Sequence, residues 1–230
     1  MDYSKNKKYF KPVKFASGIV CGVIALFFFV GFALGCAEGQ FPIIALIFAA
    51  AALAAALDCF QIWGYPTDAD IDAAVTSQLS DLKQRALNKL GLDEDEVKEV
   101  APIVIHGYVY QNSLIKLGKD MECRSNKYQA IMFLFSSNEV HCYTYDFSLT
   151  DNSQRESTDV YFYKDIVSVS TQTESTDYSV GKNKSIKVDC EYFKLTTSGG
   201  TSISCTVRNP DETQRSINGM RALIKSKKMA

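Results

Sequence analysis

His106 and His141 are the only two histidines in the chain, and histidine is the side chain most ready for acid–base or metal chemistry at neutral pH. The two belong to no spacing that zinc uses. His141 precedes Cys142 in an alternating stretch, so their side chains point to opposite faces of a strand and cannot share an ion. Each histidine therefore reads as a strand residue with an ordinary hydrogen bond. The seven cysteines are odd in number and contain no Cys-x-x-Cys pair. Free thiols in a reducing compartment fit that pattern better than a disulfide scaffold. No glycine-rich phosphate loop and no Gly-x-Ser-x-Gly elbow occurs. The expectation is a protein that is not an enzyme, with no catalytic, metal or cofactor residues. The remaining chemistry is cationic. Lys7, Lys8, Lys11 and Lys14 near the start, and Lys182, Lys184 and Lys187 in a later loop, could meet lipid headgroups. A net charge of −1 argues against a nucleic-acid partner.

What positions those cations is an uneven distribution of charge. From Phe15 to Leu57 the only charged residue is Glu38. Phe15 to Ala37 as a helix is roughly 35 Å long, enough for a hydrocarbon core of about 30 Å. A second apolar run follows Glu38-Gly39-Gln40, with Pro42 suited to a first helical turn and Trp63 and Tyr65 placed as interfacial aromatics. Residues 15–63 thus read as a transmembrane hairpin behind a basic N-terminal segment, residues 1–14. The lysines before the first span, set against Glu38 alone in the loop, put both termini in the cytoplasm and the protein in the plasma (inner) membrane. A cleaved signal peptide is the alternative, but the run is long for one and a second span follows at once.

Small residues recur inside the spans. Gly18 with Gly22, and Gly31 with Gly35, form two Gly-x-x-x-Gly pairs. Ala45, Ala49, Ala52 and Ala56 follow at steps of four, three and four. Such stripes let helices approach closely in lipid. Gly18 and Gly31 are offset by about 140° around the helix, so one pair can serve the second span while the other is left for a second copy. A homo-oligomer or another protein partner is expected, with the lipid bilayer as the constant one.

Residues 64–101 read as an acidic helical linker. Thr67 can cap a helix from Asp68, and Ile71, Val75, Leu79, Leu82, Ala86 and Leu90 give a stripe of about six turns ending at Gly91. That stripe needs a partner, either the following domain or a twin helix. Asp93 and Glu96 suggest a second, short helix that stops before Pro102. From Ile103 the pattern changes to strands: 103–110, 128–135, 139–147, 160–163, 166–169, 185–189, 192–196 and 201–207, with a Ser198-Gly199-Gly200 turn before the last. Asn209 and Pro210 then open a final helix whose apolar face is Ile217, Met220, Leu223 and Ile224.

About seven strands closed by one amphipathic helix resemble the pleckstrin-homology-like fold. The resemblance is carried by Tyr161-Phe162-Tyr163-Lys164-Asp165-Ile166-Val167-Ser168-Val169 and by the Gly-Gly turn with its helix. The stretch Lys89-Leu90-Gly91-Leu92-Asp93-Glu94-Asp95-Glu96-Val97-Lys98 is also similar to a family of uncharacterised bacterial membrane proteins. Together they imply an α+β chain: a two-helix transmembrane hairpin, a helical linker, and over residues 102–230 a bent antiparallel sheet closed by a C-terminal helix. In that fold Lys164-Asp165 belongs to a strand turn, and basic loops can hold phosphoinositide headgroups. The function implied is a non-enzymatic, membrane-anchored interaction or scaffold protein at the cytoplasmic face. The alternatives are a peripheral lipid-headgroup sensor or an accessory subunit of a membrane transport complex.

Overall fold

The computed structural model describes every residue except 39–41, 63, 98–99, 180–184 and 230, and the side chain of Glu212. The chain divides into two compact units, Lys11–Pro66 and Met1–Phe10 together with Thr67–Ala230. The larger unit opens with α1 (Tyr3–Tyr9), whose N-terminus is capped by Asp2 accepting from the Lys5 amide at 2.9 Å. Asn6, Tyr9 and Phe10 are buried there. A helix starting two residues into the chain thus belongs to the folded body that resumes some sixty residues later.

The smaller unit holds α2 (Phe15–Ala37) and α3 (Ile43–Cys59). By length and composition α2 could cross a membrane, and α3 is a shorter apolar helix. The two run antiparallel. The Lys14 amide donates to the Cys59 carbonyl at 3.2 Å near one end, and Gly35 abuts Pro42 at the other. Phe28 stacks on Phe48 between them at 5.3 Å. The inner face of α3 carries Ala45, Ala49, Ala52 and Ala56, which are among its less exposed positions. Small side chains there allow the close approach.

In the larger unit, α4 (Asp68–Leu79) begins in a full capping box: Thr67 accepts from the Asp70 amide, and Asp70 accepts from the Thr67 amide at 2.8 Å. The single long helix expected here is two helices. It breaks at Ser80–Asp81, where the Ser80 hydroxyl bonds the Ser77 carbonyl and Asp81 leaves the helical region. The break lets α5 (Leu82–Leu90) turn Leu82, Ala86 and Leu87 into the core. The expected helix after Gly91 is one 3-10 turn, Glu94–Val97.

Then come β1 (Ile103–Tyr108), β2 (Ile115–Leu117), β3 (Cys123–Ser125), β4 (Lys127–Phe135), β5 (Glu139–Ser148), β6 (Gln154–Phe162), β7 (Ile166–Ser179), β8 (Ser185–Thr197), β9 (Ser202–Val207) and α6 (Pro210–Met229). Among the described residues these form a four-stranded sheet in the order β1-β4-β5-β6, a three-stranded sheet β7-β8-β9, and the small β2-β3 pair, all antiparallel. The two larger sheets meet where β1 runs beside β9: the Arg208 amide donates to the His106 carbonyl at 2.9 Å. Gly107 is required at that seam, because a Cβ on it would overlap the Thr206 carbonyl.

The central strands β4 and β5 of the four-stranded sheet are buried on both faces, while β6 at its edge is exposed. Tyr128, Ala130, Met132 and Leu134 of β4 join Ile71, Val75, Leu82, Ala86 and Leu87 of the linker helices, with Tyr9 and Phe10, in one core. Ile131, Phe133 and Phe135 join Phe193, Leu195, Ile203 and Cys205, with Ile217, Met220 and Ile224 of α6, in the other. Double burial explains why β4 is apolar without alternation. Each fully buried large side chain, such as Phe133, contributes about 1.5–3 kcal/mol. The linker stripe therefore meets the β domain. On α6, Leu223 sits at the rim of the core and Ile224 is buried.

Candidate functional site

Asp120, Glu122 and Arg124 alternate along the chain, which places their side chains on one face of an extended segment. Arg124 stands on β3 with its side chain 1% exposed. A guanidinium so far from water needs charged partners. Its Nε donates to Asp72 Oδ1 at 3.0 Å, Nη1 to Asp120 Oδ1 at 2.9 Å, and Nη2 to Asp72 Oδ2 at 2.8 Å, Asp120 Oδ2 at 2.7 Å and Glu122 Oε2 at 3.0 Å. Arg208, just beyond β9, joins the same carboxylates. Its Nη2 donates to Asp72 Oδ1 at 2.7 Å and its Nε to Glu122 Oε1 at 3.0 Å, with the guanidinium 5.4 Å from the Tyr108 ring. The Tyr108 hydroxyl also donates to Asp72, at 3.1 Å.

Burial works against both guanidinium charges, but the hydrogen-bonded carboxylates outweigh it and hold Arg124 and Arg208 above their ordinary values. Burial likewise raises Asp72, yet bonds from Arg124 and the charges of both arginines leave it lowered. The Arg124 bond lowers Asp120. One oxygen from each of Asp72, Asp120 and Glu122 lies within 4.8 Å of the others, a spacing a cation could use. Arg124 Nη2 already donates to all three acids, and each of their six oxygens accepts from a guanidinium. With two guanidiniums against three carboxylates the cluster keeps one net negative charge, but every carboxylate oxygen is hydrogen-bonded within it, and it ties α4 to the β domain.

The tie continues outward. Asp68 accepts the Tyr9 hydroxyl at 2.6 Å and the Lys119 amide at 2.8 Å. Lys116 Nζ donates to the Tyr9 carbonyl at 2.8 Å and lies 4.2 Å from the centre of its ring. Burial first, then Asp68, pushes the Tyr9 hydroxyl well up. Lys5 pairs with Asp70 at 3.0 Å. Gly118 allows the close passage, since a Cβ there would crowd Arg124, Asp120 and Asp68. These bonds fasten α1, α4 and the β2-β3 pair to one another.

A separate cavity of about 540 Å³ has a mixed lining, with Lys127, Gln129, Asp146 and Arg155 beside Tyr128 and Phe147. Burial raises the Asp146 carboxyl, against the bond from Gln129 and the charge of Arg155.

The histidines have separate partners. His106 Nδ1 is 2.6 Å from the Tyr128 hydroxyl, and His141 Nε2 is 3.4 Å from Glu139 Oε1. All seven cysteines are free, and burial raises the Cys142, Cys190 and Cys205 thiols, Cys190 to about 11. Lys7 and Lys8 are exposed on α1, Lys11 and Lys14 lie between α1 and α2, and Lys187 is exposed on β8. Lys182 and Lys184 fall outside the described residues. The glycine pairs divide by member. A Cβ on Gly18 would meet the Phe60 ring and one on Gly35 would meet Pro42, whereas Gly22 and Gly31 have open space. Sequence reasoning missed the arginine cluster, although the i, i+2, i+4 spacing of Asp120, Glu122 and Arg124 carries its signal. Comparison with protein-family models, curated proteins and solved structures gives no match for this chain.

Proposed function

We propose that the chain is a non-enzymatic, membrane-anchored interaction or scaffold protein, with α2 and α3 as a two-span hairpin and a pleckstrin-homology-like domain at the cytoplasmic face. The observation that carries the reading is the membership of α1. Residues before the apolar helices and residues after them share one folded unit, so the chain that leaves at Phe10 must return at Thr67 to the same side. Two crossings satisfy that, and one does not. As a helix α3 is about 25 Å long, near the lower limit for a span. The apolar side chains that α2 and α3 leave exposed, Phe27, Val23, Ile44 and Ile47 among them, would be costly in water and suit lipid. The lysines before α2 favour the cytoplasm for that side. Four and three antiparallel strands followed by a helix that covers one core support the pleckstrin-like assignment. The tie through Arg124 supports a scaffold, because it fixes the domain to the helix that leaves the hairpin.

Reporter enzymes fused after Ala230, and before Met1 in a second fusion, test the reading. Both should be active only in forms that work in the cytoplasm. Activity of an exported-form reporter at either end would overturn it.

A further inference from the structure

The turn of the β2-β3 pair combines exposed apolar side chains with an unusual backbone. Met121 is 74% exposed and Leu117 is 37% exposed. Met121 also holds φ at +67°, a conformation that is costly for a bulky side chain and natural for glycine. A turn selected for its backbone alone would use glycine there. Lys119, between the two apolar residues, is exposed. The acids beside it, Asp120 and Glu122, are taken up by Arg124 and Arg208. What the turn presents outward is thus methionine, leucine and an ammonium group, the composition of a segment that lies at a lipid–water boundary.

Its tether sets how far it can lie from that boundary. The Lys119 amide is bonded to Asp68, the second residue after the chain re-enters the larger unit, and Asp68 is bonded to Tyr9, next to the last residue before the chain leaves it. Phe10 and the first residue of α2, Phe15, are separated by five peptide steps, a reach of at most about 17 Å. Lys7 and Lys8 are exposed on the same short helix.

We propose that the Leu117–Met121 turn seats in the headgroup region of the bilayer that α2 enters, with Met121 and Leu117 below the phosphates and Lys119 among them. This rests on the membrane reading above. Anionic lipid should deepen the contact, because Lys119 on the turn and Lys7 and Lys8 on α1 are exposed.

Tryptophan fluorescence of the full chain in lipid vesicles tests this. Trp63 is the only tryptophan, so a Trp63→Phe background makes each new tryptophan the sole reporter. Three are placed separately: Met121→Trp, Phe27→Trp on the exposed face of α2, and Phe162→Trp on β6. A Leu117→Trp chain serves as a second probe of the turn. Two sets of phosphatidylcholine and phosphatidylglycerol vesicles carry bromine on the acyl chains, one near the headgroup to report on the turn and one near the chain ends to report on Phe27→Trp, which lies at the middle of α2. The Phe27→Trp reporter should be quenched. The Met121→Trp and Leu117→Trp reporters should be quenched and emit at shorter wavelength than the Phe162→Trp reporter, more so with phosphatidylglycerol present. If the turn reporters are quenched no more than Phe162→Trp while Phe27→Trp is quenched, the turn stands off the bilayer and the proposal fails alone. If Phe27→Trp is also unquenched, the membrane reading falls and takes the proposal with it.

Discussion

The two units of this chain solve opposite problems with the same residues. In Lys11–Pro66 the small side chains face inward and the large apolar ones outward: Ala49 and Ala56 are buried while Phe27, Val23 and Ile44 are exposed. In the larger unit Phe133, Phe193, Ile131 and Tyr128 are wholly buried and the small polar residues of β6 and β7 face out. A helix pair gains little from hiding leucine in a solvent as apolar as leucine, so contact there depends on close backbone approach. A β domain in water is held by removing apolar area from it. On the membrane reading proposed above, the inversion marks where the solvent changes, at Phe10 and again near Thr67.

The largest test of the contrast lies where the larger unit departs from it, at its buried charge. Arg124→Met keeps the volume and removes the guanidinium. Asp72, Asp120 and Glu122 then face one another with only Arg208 to neutralise them. Breaking a buried ion pair from one side costs about 3–5 kcal/mol. The acids are about a third exposed and can rehydrate, so the lower end is expected. Denaturant unfolding of the full chain in detergent, followed by far-ultraviolet dichroism of the β domain, would measure it. An unchanged midpoint would mean the cluster holds nothing.

A smaller effect, with opposite signs at two glycines of one helix, tests the apolar unit. Gly35→Ala drives a Cβ against the stiff ring of Pro42 at 2.8 Å, an overpacking expected to cost about 1–3 kcal/mol. Gly31→Ala meets open space and should be neutral, or stabilising by up to about 1 kcal/mol through helix propensity. Thermal unfolding of the two variants in the same detergent should move in different directions. Equal destabilisation at Gly31 would indicate that a second copy sits on that face.

The legible parts of this chain were those that a period announces. The long apolar run of α2, the alternation of β5 and the Asn209-Pro210 start of α6 reflect local geometry. The alanine stripe occupies the inner face of α3 because its 4-3-4 step is the period of one helix face. What sequence could not reveal depends on distant partners. Residues 3–9 carry three lysines and no acid and look like a basic flank, yet Tyr9 is buried against Asp68 and Lys116. The pairs Asp72–Arg124 and Asp72–Arg208 span 52 and 136 positions, and no local pattern links them. The helix break at Ser80–Asp81 was hidden because the apolar steps run through it without a gap. The short β2 and β3 were hidden because three residues are too few to show alternation.

The smallest expected effect is the pH dependence of the tie. Asp72, Asp120 and Asp70 are all held below the ordinary carboxylate value, Asp70 chiefly by its bond from Thr67. In the unfolded chain they return to about 3.9. A depressed carboxyl binds fewer protons folded than unfolded, so its stabilisation is fully present above about pH 4 and is lost as pH falls through the folded value. Asp146 has the opposite sign. Its raised value means it favours folding below about pH 4, and that contribution is lost as pH rises through the folded value. The melting temperature should therefore fall in acid below about pH 4. Asp72→Asn should lower it at neutral pH and flatten the acid decline, because one of the depressed groups is gone. Asp146→Asn should raise it at neutral pH and make the decline steeper, because a group that favoured folding in acid is gone. If both substitutions leave the acid slope unchanged, carboxylates elsewhere govern it. The tie at Arg124 would then be maintained by geometry that protonation does not disturb.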